Sequence, residues 1–292
     1  MDIEKLLDNN YDIAFELWCE TLGDTWPIEK EQFIDRVNKG TNFTAVIDGV
    51  IVGFINCQYN GEKGQITLVL VNSKYQKQGI GTALLNEAKK CLKENGVKTI
   101  FVGCGTGSYF WPGVPTNLLS AVNFFKKNGL KEDETNLDMV GNLGNYQTPK
   151  EVSENVSSLN LQFEILKEED RKDLIEFEKL SFPNWIKFFE DTPKDKVYLV
   201  KLDNKIFGSV ILIGSDGFVW SKLLDNPGGF GALGVANEYR GKGIGLAFAA
   251  KATEVLKERG IKNSFLGWTY LDKWYGKLGY KVWREYEYGE LT

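Results

Sequence analysis

YQKQGIG at Tyr75–Gly81 and YRGKGIG at Tyr239–Gly245 are two copies of one glycine loop, 164 positions apart. The same shift aligns LKENGVK at Leu92–Lys98 with LKERGIK at Leu256–Lys262. Two matches at one offset indicate an internal duplication, and such a repeat has to be recognised before single elements are interpreted. The chain is therefore predicted to contain the same fold twice.

The segments around each loop predict the same order of elements in both halves. DGVIVGFINC at Asp48–Cys57 and DNKIFGSVIL at Asp203–Leu212 each begin with a turn signal and continue as a strand. The apolar runs ITLVLV at Ile66–Val71 and GALGV at Gly231–Val235 precede the loops. A helix with one apolar face and then a short strand follow each loop. Each half thus reads as three strands, a glycine loop, a helix and a further strand.

The second part of each half is less regular. The offset falls to 150 where NFFKKNGL at Asn123–Leu130 is set against KWYGKLGY at Lys273–Tyr280, so the first half carries about fourteen extra residues. These residues include YFWPGVP at Tyr109–Pro115, which is expected to be a surface loop that packs its own Trp111, or else to cover an acceptor pocket or the interface between the halves. The polar stretch 141–160 is typical of a linker. The predicted boundaries are a first domain at 1–145, a linker at 146–160 and a second domain at 161–292.

The composition narrows the class of protein. With 292 residues, 42% apolar and 26% charged, the chain is expected to fold into globular domains. Forty acidic and thirty-five basic side chains give a net charge of -5, which argues against a nucleic-acid partner. The start MDIEKLLDNN has no apolar leader, and no apolar run is long enough to span a membrane, so a cytoplasmic protein with no membrane partner is expected.

The chain contains four scattered cysteines and no histidine. The cysteine spacing fits neither a disulfide framework nor a metal site, so the cysteines are interpreted as reduced thiols and no metal is expected. The absence of histidine excludes Ser-His-Asp and Cys-His catalysis. Proton transfer is left to tyrosine, carboxylates, lysine, cysteine or water.

A strand that enters a helix through small residues directs backbone N–H groups and the positive end of the helix dipole at one point, which suits phosphate oxygens. No G-x-x-x-x-G-K-[ST] motif is present, so P-loop nucleotide hydrolysis is not supported. The third glycine of the dinucleotide fingerprint is replaced by Leu84 in one copy and Phe248 in the other. A Rossmann domain is therefore disfavoured.

Both loops resemble the [Q/R]-x-x-G-x-[G/A] signature of the GNAT superfamily of N-acetyltransferases, and the resemblance covers nearly the whole chain. It implies two tandem α/β domains, each with a mixed, mostly antiparallel central sheet flanked by helices, and acetyl-CoA as cosubstrate. The residues that it assigns to acetyl-CoA are Leu70, Val71, Gln76, Lys77, Gln78, Gly79, Ile80, Gly81 and Thr82 in the first half and Leu233, Gly234, Val235, Arg240, Gly241, Lys242, Gly243, Ile244, Gly245 and Leu246 in the second.

The resemblance also separates the two halves. A tyrosine that protonates the departing CoA thiolate is common in this family, and the matching residue is Tyr275 in the second half. The first half has Phe125 there, which has no proton to donate. The second half is therefore predicted to be catalytic and the first to be degenerate, with its CoA binding left open.

The expected reaction is direct attack of a primary amine of a small acceptor on the thioester, because the second half contains no cysteine that could form an acyl-enzyme. Backbone N–H groups near Val235 are expected to polarise the thioester carbonyl. Glu178, Asp216 and Asp225 are the candidate general bases, and the sequence does not choose among them.

Two other functions remain open at this stage. The first is a non-catalytic module that binds or senses acetyl-CoA. The second is an S-adenosylmethionine-dependent methyltransferase, suggested by GCGTG within Thr99–Phe110, although Pro112 and Pro115 disfavour the helix that should follow. Trp185, Trp220, Trp268 and Trp274 are candidates for an acceptor cleft or for the core. The chain is expected to be a monomer or a homodimer, and its acyl chain length is undetermined.

Overall fold

The computed structural model describes residues 1–6 and 11–292. They form two compact units, unit 1 (Met1–Leu137 with Arg284–Thr292) and unit 2 (Asp138–Trp283). Each unit is a mixed sheet with helices packed against it, which confirms the predicted fold class.

Unit 1 contains the first glycine loop. Its strands are β1 (Asp2–Lys5), β2 (Thr41–Ile47), β3 (Val50–Asn60), β4 (Lys63–Val71), β5 (Thr99–Val102) and β6 (Val114–Pro115), and its helices are α1 (Asp12–Leu22), α2 (Lys30–Val37), α3 (Ile80–Glu94) and α4 (Leu119–Lys127). The sheet order is β1-β2-β3-β4-β5, with all neighbours antiparallel except the parallel pair β4–β5. The next strand, β7 (Leu130–Asn142), begins in unit 1 and ends in unit 2.

Unit 2 repeats this order around the second loop. Its helices are α5 (Lys150–Glu154), α6 (Arg171–Ser181), α7 (Ile186–Asp191), α8 (Ile244–Glu258) and α9 (Asp272–Gly276), and its strands are β8 (Leu161–Ile165), β9 (Val197–Leu202), β10 (Lys205–Ile213), β11 (Pro227–Val235) and β12 (Asn263–Thr269). The order is β8-β9-β10-β11-β12, again antiparallel except for β11–β12. The last strand, β13 (Lys281–Leu291), begins in unit 2 and ends in unit 1.

The structure places the unit boundaries elsewhere than the sequence does. The last nine residues belong to unit 1, where Glu290 pairs with Phe101 of β5, although the sequence assigns them to a domain at 161–292. Residues 138–145 belong to unit 2, although the sequence assigns them to a domain at 1–145. The difference arises because ladder hydrogen bonds use backbone groups, so a strand's sequence does not reveal which sheet edge it completes.

The stretch 141–160, predicted to be a linker, packs within unit 2. Lys257 Nζ donates to the Tyr146 carbonyl at 2.8 Å, the Thr148 hydroxyl donates to Glu254, and Val152 of α5 is buried. Because these partners lie along α8, the polar composition of the stretch reflects hydrogen bonding to that helix.

Each half also has more elements than predicted. Four strands precede each glycine loop, and two helices lie between the first and second of these strands. The first strand of unit 1, DIEK, has no buried residue and no apolar alternation. The period-two signal that identifies a strand in a sequence is therefore missing.

Candidate active site

The central parallel strands separate in both units. The register of β4 with β5 covers Lys63–Ile66, and that of β11 with β12 covers Pro227–Gly229. Beyond these pairs, β4 continues to Val71 and β11 continues to Val235. In the described register, these final residues pair only with the antiparallel neighbours, β3 and β10. The C-terminal part of each strand thus has backbone groups available for an extended ligand.

A bulge lies in each separating strand. In β4 the register shifts opposite Asn56 and Cys57, and in β11 it shifts opposite Ser209 and Ile211. Ala232, inside the second bulge, has a φ of 50°. Bulges redirect backbone and side chains, and they are frequent beside active sites.

The two glycine loops have matching geometry. Gly79 and Gly243 adopt φ values of 86° and 78° directly before α3 and α8, and neither helix has a side-chain cap. The first-turn N–H groups are therefore not used by a capping side chain, and they point at one place where an anion would be stabilised.

The polar side chain that precedes each loop ties the loop to its strand. Gln76 Nε2 donates to the Val71 carbonyl at 3.0 Å, and Arg240 Nε donates to the Val235 carbonyl at 3.0 Å. Gln76 and Arg240 therefore position the loop, while the other residues assigned to the cofactor lie on the loop, the first helical turn or the separating strand. Their role in cofactor binding stays a prediction.

Lys77 adopts a left-handed φ of 59°, where the second copy has Gly241 at 78°. This conformation is unfavourable for residues with a Cβ. Lys77→Gly is therefore expected to raise the free energy of unfolding by about 0.5–1 kcal/mol in urea denaturation. Gln78→Gly is the control, because Gln78 is outside the left-handed region and glycine should there lower stability. A stability of Lys77→Gly at or below that of the unmodified protein would refute the expectation.

Tyr275 of α9 follows Trp274, which lies against the start of the second glycine-loop helix. Its ring packs against Phe230 and Trp274, with centroids at 6.1 and 4.7 Å, and Trp274 lies 3.5 Å from a Cβ built on Gly245. Tyr275 is 9% exposed, and its hydroxyl makes no hydrogen bond with any described residue. Burial raises the pKa of Tyr275 to about 12, so the hydroxyl keeps its proton at neutral pH.

The corresponding place in unit 1 has no hydroxyl. Phe125 of α4 is buried there, and its neighbour Phe124 lies 3.2 Å from a Cβ built on Gly81, as Trp274 does at Gly245. The alignment of Phe125 with Tyr275 is therefore consistent with the structure.

The model of the GNAT acetyltransferase family matches residues 7–110 and 161–280, which are more than half of the chain and contain both glycine loops. The chain belongs to this family. The two matched regions confirm the tandem GNAT arrangement predicted from the repeat. Acetyl transfer is thus the general activity of its family.

Known proteins resemble this GNAT chain to different extents. A solved structure described as a GCN5-related glucosamine N-acetyltransferase region of a fungal multi-domain GH3 β-N-acetylglucosaminidase is 28% identical, with a TM-score of 0.91 over 99% of this chain and 38% of that one. An uncharacterized N-acetyltransferase of Methanocaldococcus jannaschii is 29% identical over 99 residues, 32% of this chain and 39% of the relative. The chain thus spans less than two fifths of the length of these two relatives.

A tandem GNAT protein from the clavulanic acid biosynthesis pathway has the same fold. Its TM-score is 0.64 at 13% identity, and the match covers 100% of this chain and 99% of that one. The likeness shows a shared two-domain fold.

The two GNAT units differ on the sheet face that α1 covers in unit 1 and α6 covers in unit 2. After the equivalent pairs Gly53–Val71 and Gly208–Val235, the next pair is Phe54–Leu70 in unit 1 and Ser209–Gly234 in unit 2. Paired residues project from the same face of a sheet. Two large apolar side chains in unit 1 are thus replaced by a hydroxyl and a glycine in unit 2.

The helices that cover these faces, α1 in unit 1 and α6 in unit 2, also differ by an apolar side chain in unit 1 and a polar one in unit 2. The buried residues of α1 are Ala14, Leu17 and Trp18, and those of α6 are Leu174, Phe177 and Glu178, at identical spacing. Trp18 in unit 1 therefore corresponds to Glu178 in unit 2. The fully buried carboxyl group at this position is a candidate functional feature that sequence reasoning did not separate from its other candidates.

The insert Tyr109–Pro115 packs inside unit 1. Trp111 stacks on Trp18 with ring centroids 5.3 Å apart and an interplanar angle of 9°, and Phe110 lies 4.8 Å from the same ring. Gln65 Nε2 donates to the Ser108 carbonyl at 2.7 Å and holds the preceding loop. The insert therefore packs on the α1 face of unit 1, and the surface-loop alternative is wrong because the whole run 110–115 is buried and not Trp111 alone.

The three candidate bases have different surroundings. Asp216 and Asp225 are exposed and pair with Lys196 and Lys262 at 3.2 and 2.8 Å. Glu178 is 0% exposed. Burial raises its pKa to about 7, and a hydrogen bond donated by Ser209 partly offsets this rise. Of the three, Glu178 alone is buried and has a raised pKa, the combination that marks a candidate site residue.

The tryptophans of unit 2 divide between core and surface. Trp220 is buried, Trp185 stacks on Phe182 at 4.7 Å, and Trp274 lies beside Gly245. Trp268 is 43% exposed, near the end of β12. The GCGTG segment after β5 leads to β6, and the next helix begins only at Leu119, so the loop lacks the adjacent helix that a methyltransferase-like site needs.

Among residues 1–6 and 11–292, no group of three or more metal-ligating side chains is found. Over the same residues, no helix is long and apolar enough to cross a membrane.

Proposed function

We propose that unit 2 transfers an acetyl group from acetyl-CoA to a primary amine of a small acceptor by direct attack of the amine on the thioester. The protein would then be an acyltransferase for groups other than aminoacyl groups. The observation that carries the proposal is Tyr275, whose protonated hydroxyl has no hydrogen-bond partner among the described residues and whose ring packs on Trp274, the residue beside Gly245 of the second glycine-loop helix.

The cofactor would lie along the separating strands. Its pyrophosphate would accept hydrogen bonds from the N–H groups of Gly243–Leu246, where the positive end of the α8 dipole favours negative charge. Its pantetheine arm would pair with the backbone of Leu233–Val235, which β12 leaves unpaired. An N–H group near Val235 would polarise the thioester carbonyl.

The chemistry would then proceed in one ternary complex. The amine nitrogen attacks the carbonyl carbon, the C–S bond breaks, and the sulfur takes a proton from Tyr275. The proton that the attacking amine nitrogen loses restores the tyrosine through solvent. Starting from the neutral amine, the balanced products are the amide and the CoA thiol.

An amino sugar is the acceptor to test first. The similar fungal region is described as a glucosamine N-acetyltransferase, and this chain matches it over 99% of its own length. Ser209 and Gly234 also occupy less volume on the α6 face of unit 2 than Phe54 and Leu70 occupy on the α1 face of unit 1.

Unit 1 supports a second role, the binding of acetyl-CoA without chemistry. It keeps the strand separation, the left-handed Gly79 and the Gln76 tie to Val71. It lacks the tyrosine, and its α1 face is filled by Trp18 and Trp111. We infer that it holds the cofactor as a structural ligand.

Calorimetric titration with acetyl-CoA, followed by a free-thiol assay with glucosamine, tests both the acetyl transfer by unit 2 and the cofactor binding by unit 1. We expect about two sites per chain and release of CoA thiol that depends on glucosamine. Absence of acetyl-CoA binding would refute the proposed function. One site per chain, lost in Gly243→Glu, would refute the role of unit 1 alone.

A further inference from the structure

Two residues with a strained backbone lie where β11 and β12 separate. Gly229 and Phe265 form the last pair of the parallel register. Ala232 and Trp268 each follow three residues later on their own strands, with φ values of 50° and 51° in the left-handed region. This conformation is unfavourable for alanine and a clear outlier for a bulky tryptophan, so it persists only where the surroundings impose it. Strain of this kind clusters at functional sites.

The surroundings of Trp268 hold its backbone in this conformation. Its N–H group donates to Asp138 Oδ1 at 3.0 Å, and Asp138 is buried on the neighbouring strand β7. A Cβ built on the preceding Gly267 would lie 2.8 Å from the Phe265 ring and 3.5 Å from the same carboxylate oxygen. Only glycine allows this close approach, so the path of the strand into Trp268 is fixed from both sides.

The same backbone turns the Trp268 ring outward. Trp268 is exposed, although tryptophan side chains are on average highly buried. Tyr270 and Leu271 are exposed as well, so the segment Trp268–Leu271 presents apolar surface beside the strand opening. Backbone strain and an exposed indole both cost stability, and packing of the core explains neither. A ligand that covers the ring would offset this cost.

The exposed segment leads directly into the helix that carries the candidate acid. The backbone N–H groups of Trp274 and Tyr275 both donate to the Leu271 carbonyl at 3.0 Å. Trp268 lies three residues before Leu271, which limits the distance between their Cα atoms to about 11 Å. The indole, the strand opening that would hold the thioester and the start of α9 therefore belong to one short part of unit 2.

Unit 1 has no such ring at the matching position. The shift of 164 positions between the glycine loops sets Cys104 against Trp268. Both residues follow the stretch that pairs in parallel with the separating strand. Cys104 is fully buried, so unit 1 presents no aromatic surface there. The exposed indole is a feature of the unit to which we assign the chemistry.

We propose that Trp268 is the platform on which the acceptor lies, with its indole stacked on the apolar face of a pyranose ring. This inference rests on the proposed function and specifies the acceptor as a cyclic amino sugar. One face of a pyranose presents C–H groups, and an indole offers a large, rigid apolar surface that matches it. The stacked ring directs its amino group to the opening between β11 and β12. An open-chain amine has no such face and gains nothing from the indole.

Trp268→Ala tests the platform in the full chain by free-thiol release. Alanine keeps a Cβ at the left-handed position, so the substitution removes the ring without relieving the strain. KM for glucosamine should rise at least about 10-fold while kcat stays within about 3-fold, because stacking is equal in the ground state and the transition state. Trp268→Phe should recover part of the affinity. Turnover of ethanolamine, which has no ring, and the acetyl-CoA dissociation constant should be the same in both proteins.

Tyr59→Ala is the matched control. Tyr59 is 46% exposed against 43% for Trp268, and it lies in unit 1 on the part of β3 that faces Gly64, away from the strand opening. Its removal should leave KM for glucosamine and kcat unchanged. A glucosamine KM within about 3-fold of the unmodified value in Trp268→Ala, or an equal loss with glucosamine and ethanolamine, would overturn the platform.

Two further outcomes separate the platform from the proposed function. If the unmodified protein releases thiol with open-chain or aromatic amines and none with glucosamine, acetyl transfer stands and the sugar platform is wrong. If no primary amine of a broad panel releases thiol, the proposed function fails. Saturation-transfer NMR with glucosamine needs no turnover: the ring protons of one sugar face should receive the most saturation, and this signal should disappear in Trp268→Ala. Equal signals in the two proteins would overturn the inference.

Discussion

Tyr275→Phe is expected to lower kcat about 10²–10³-fold while leaving the acetyl-CoA dissociation constant unchanged. The substitution removes the hydroxyl that would protonate the departing sulfur and keeps the ring that packs against Phe230 and Trp274. Because burial raises the pKa of Tyr275 to about 12, the hydroxyl is protonated from pH 6 to 9. The loss should therefore be the same across this range, as measured by free-thiol release.

The stability of Tyr275→Phe separates a catalytic from a structural role. The hydroxyl has no hydrogen-bond partner among the described residues, so its removal should leave the free energy of unfolding unchanged or raise it slightly. Tyr280→Phe is the matched control, because the Tyr280 hydroxyl donates to Ser264 at 2.7 Å and lies 3.0 Å from Thr253. Tyr280→Phe should lower stability by about 1–3 kcal/mol. Full activity in Tyr275→Phe would rule out the tyrosine as the acid.

Gly243→Glu is expected to reduce acetyl transfer at least 10²-fold, and Gly79→Glu to change it less than about 2-fold. A carboxylate at either position is repelled by a pyrophosphate and competes for the N–H groups of the helix terminus. Gly243 precedes α8 in the unit with Tyr275, whereas Gly79 precedes α3 in the unit whose α1 face is filled. Steady-state rates and calorimetry with each variant would measure the difference.

Gly260→Glu provides the control for backbone strain. Gly260 has a φ of 82°, close to that of Gly243, lies near the other end of α8, and has no atom within 4 Å of a built Cβ. Gly260→Glu should therefore lower the free energy of unfolding by about as much as Gly243→Glu does, while its turnover stays normal. Loss of turnover in Gly79→Glu with normal turnover in Gly243→Glu would assign the chemistry to unit 1.

Much of this protein could be predicted from local sequence. The duplication, the α/β class and the two glycine loops depend on residues that act within a few positions, such as Gly79 and Gly243 at their left-handed turns. The helix faces that include Leu84 and Phe248 follow from apolar spacing, and both residues are buried as expected. The contrast between Tyr275 and Phe125 also needed only the alignment of the two halves.

The choice among carboxylates needed the tertiary structure. The sequence does not distinguish Glu178, Asp216 and Asp225 as candidate bases. In the structure, the three carboxyl groups differ in burial and in their ion-pair partners. The pKa of a carboxyl depends on the solvent and charges around it, and these come from elements distant in the chain. Ser209, which holds Glu178, lies 31 positions away.

The sequence by itself determined the repeated fold, the family and the position of the candidate acid, because repeats, turn residues and apolar spacing are local properties of the chain. The tertiary structure alone decided that β13 completes the sheet of unit 1 and that Trp111 is buried against Trp18. It also decided that Glu178 is fully buried and accepts a hydrogen bond from Ser209. Strand pairing uses backbone groups that every sequence shares, and burial depends on contacts between segments that are distant in the chain. Neither can therefore be predicted from the local sequence pattern.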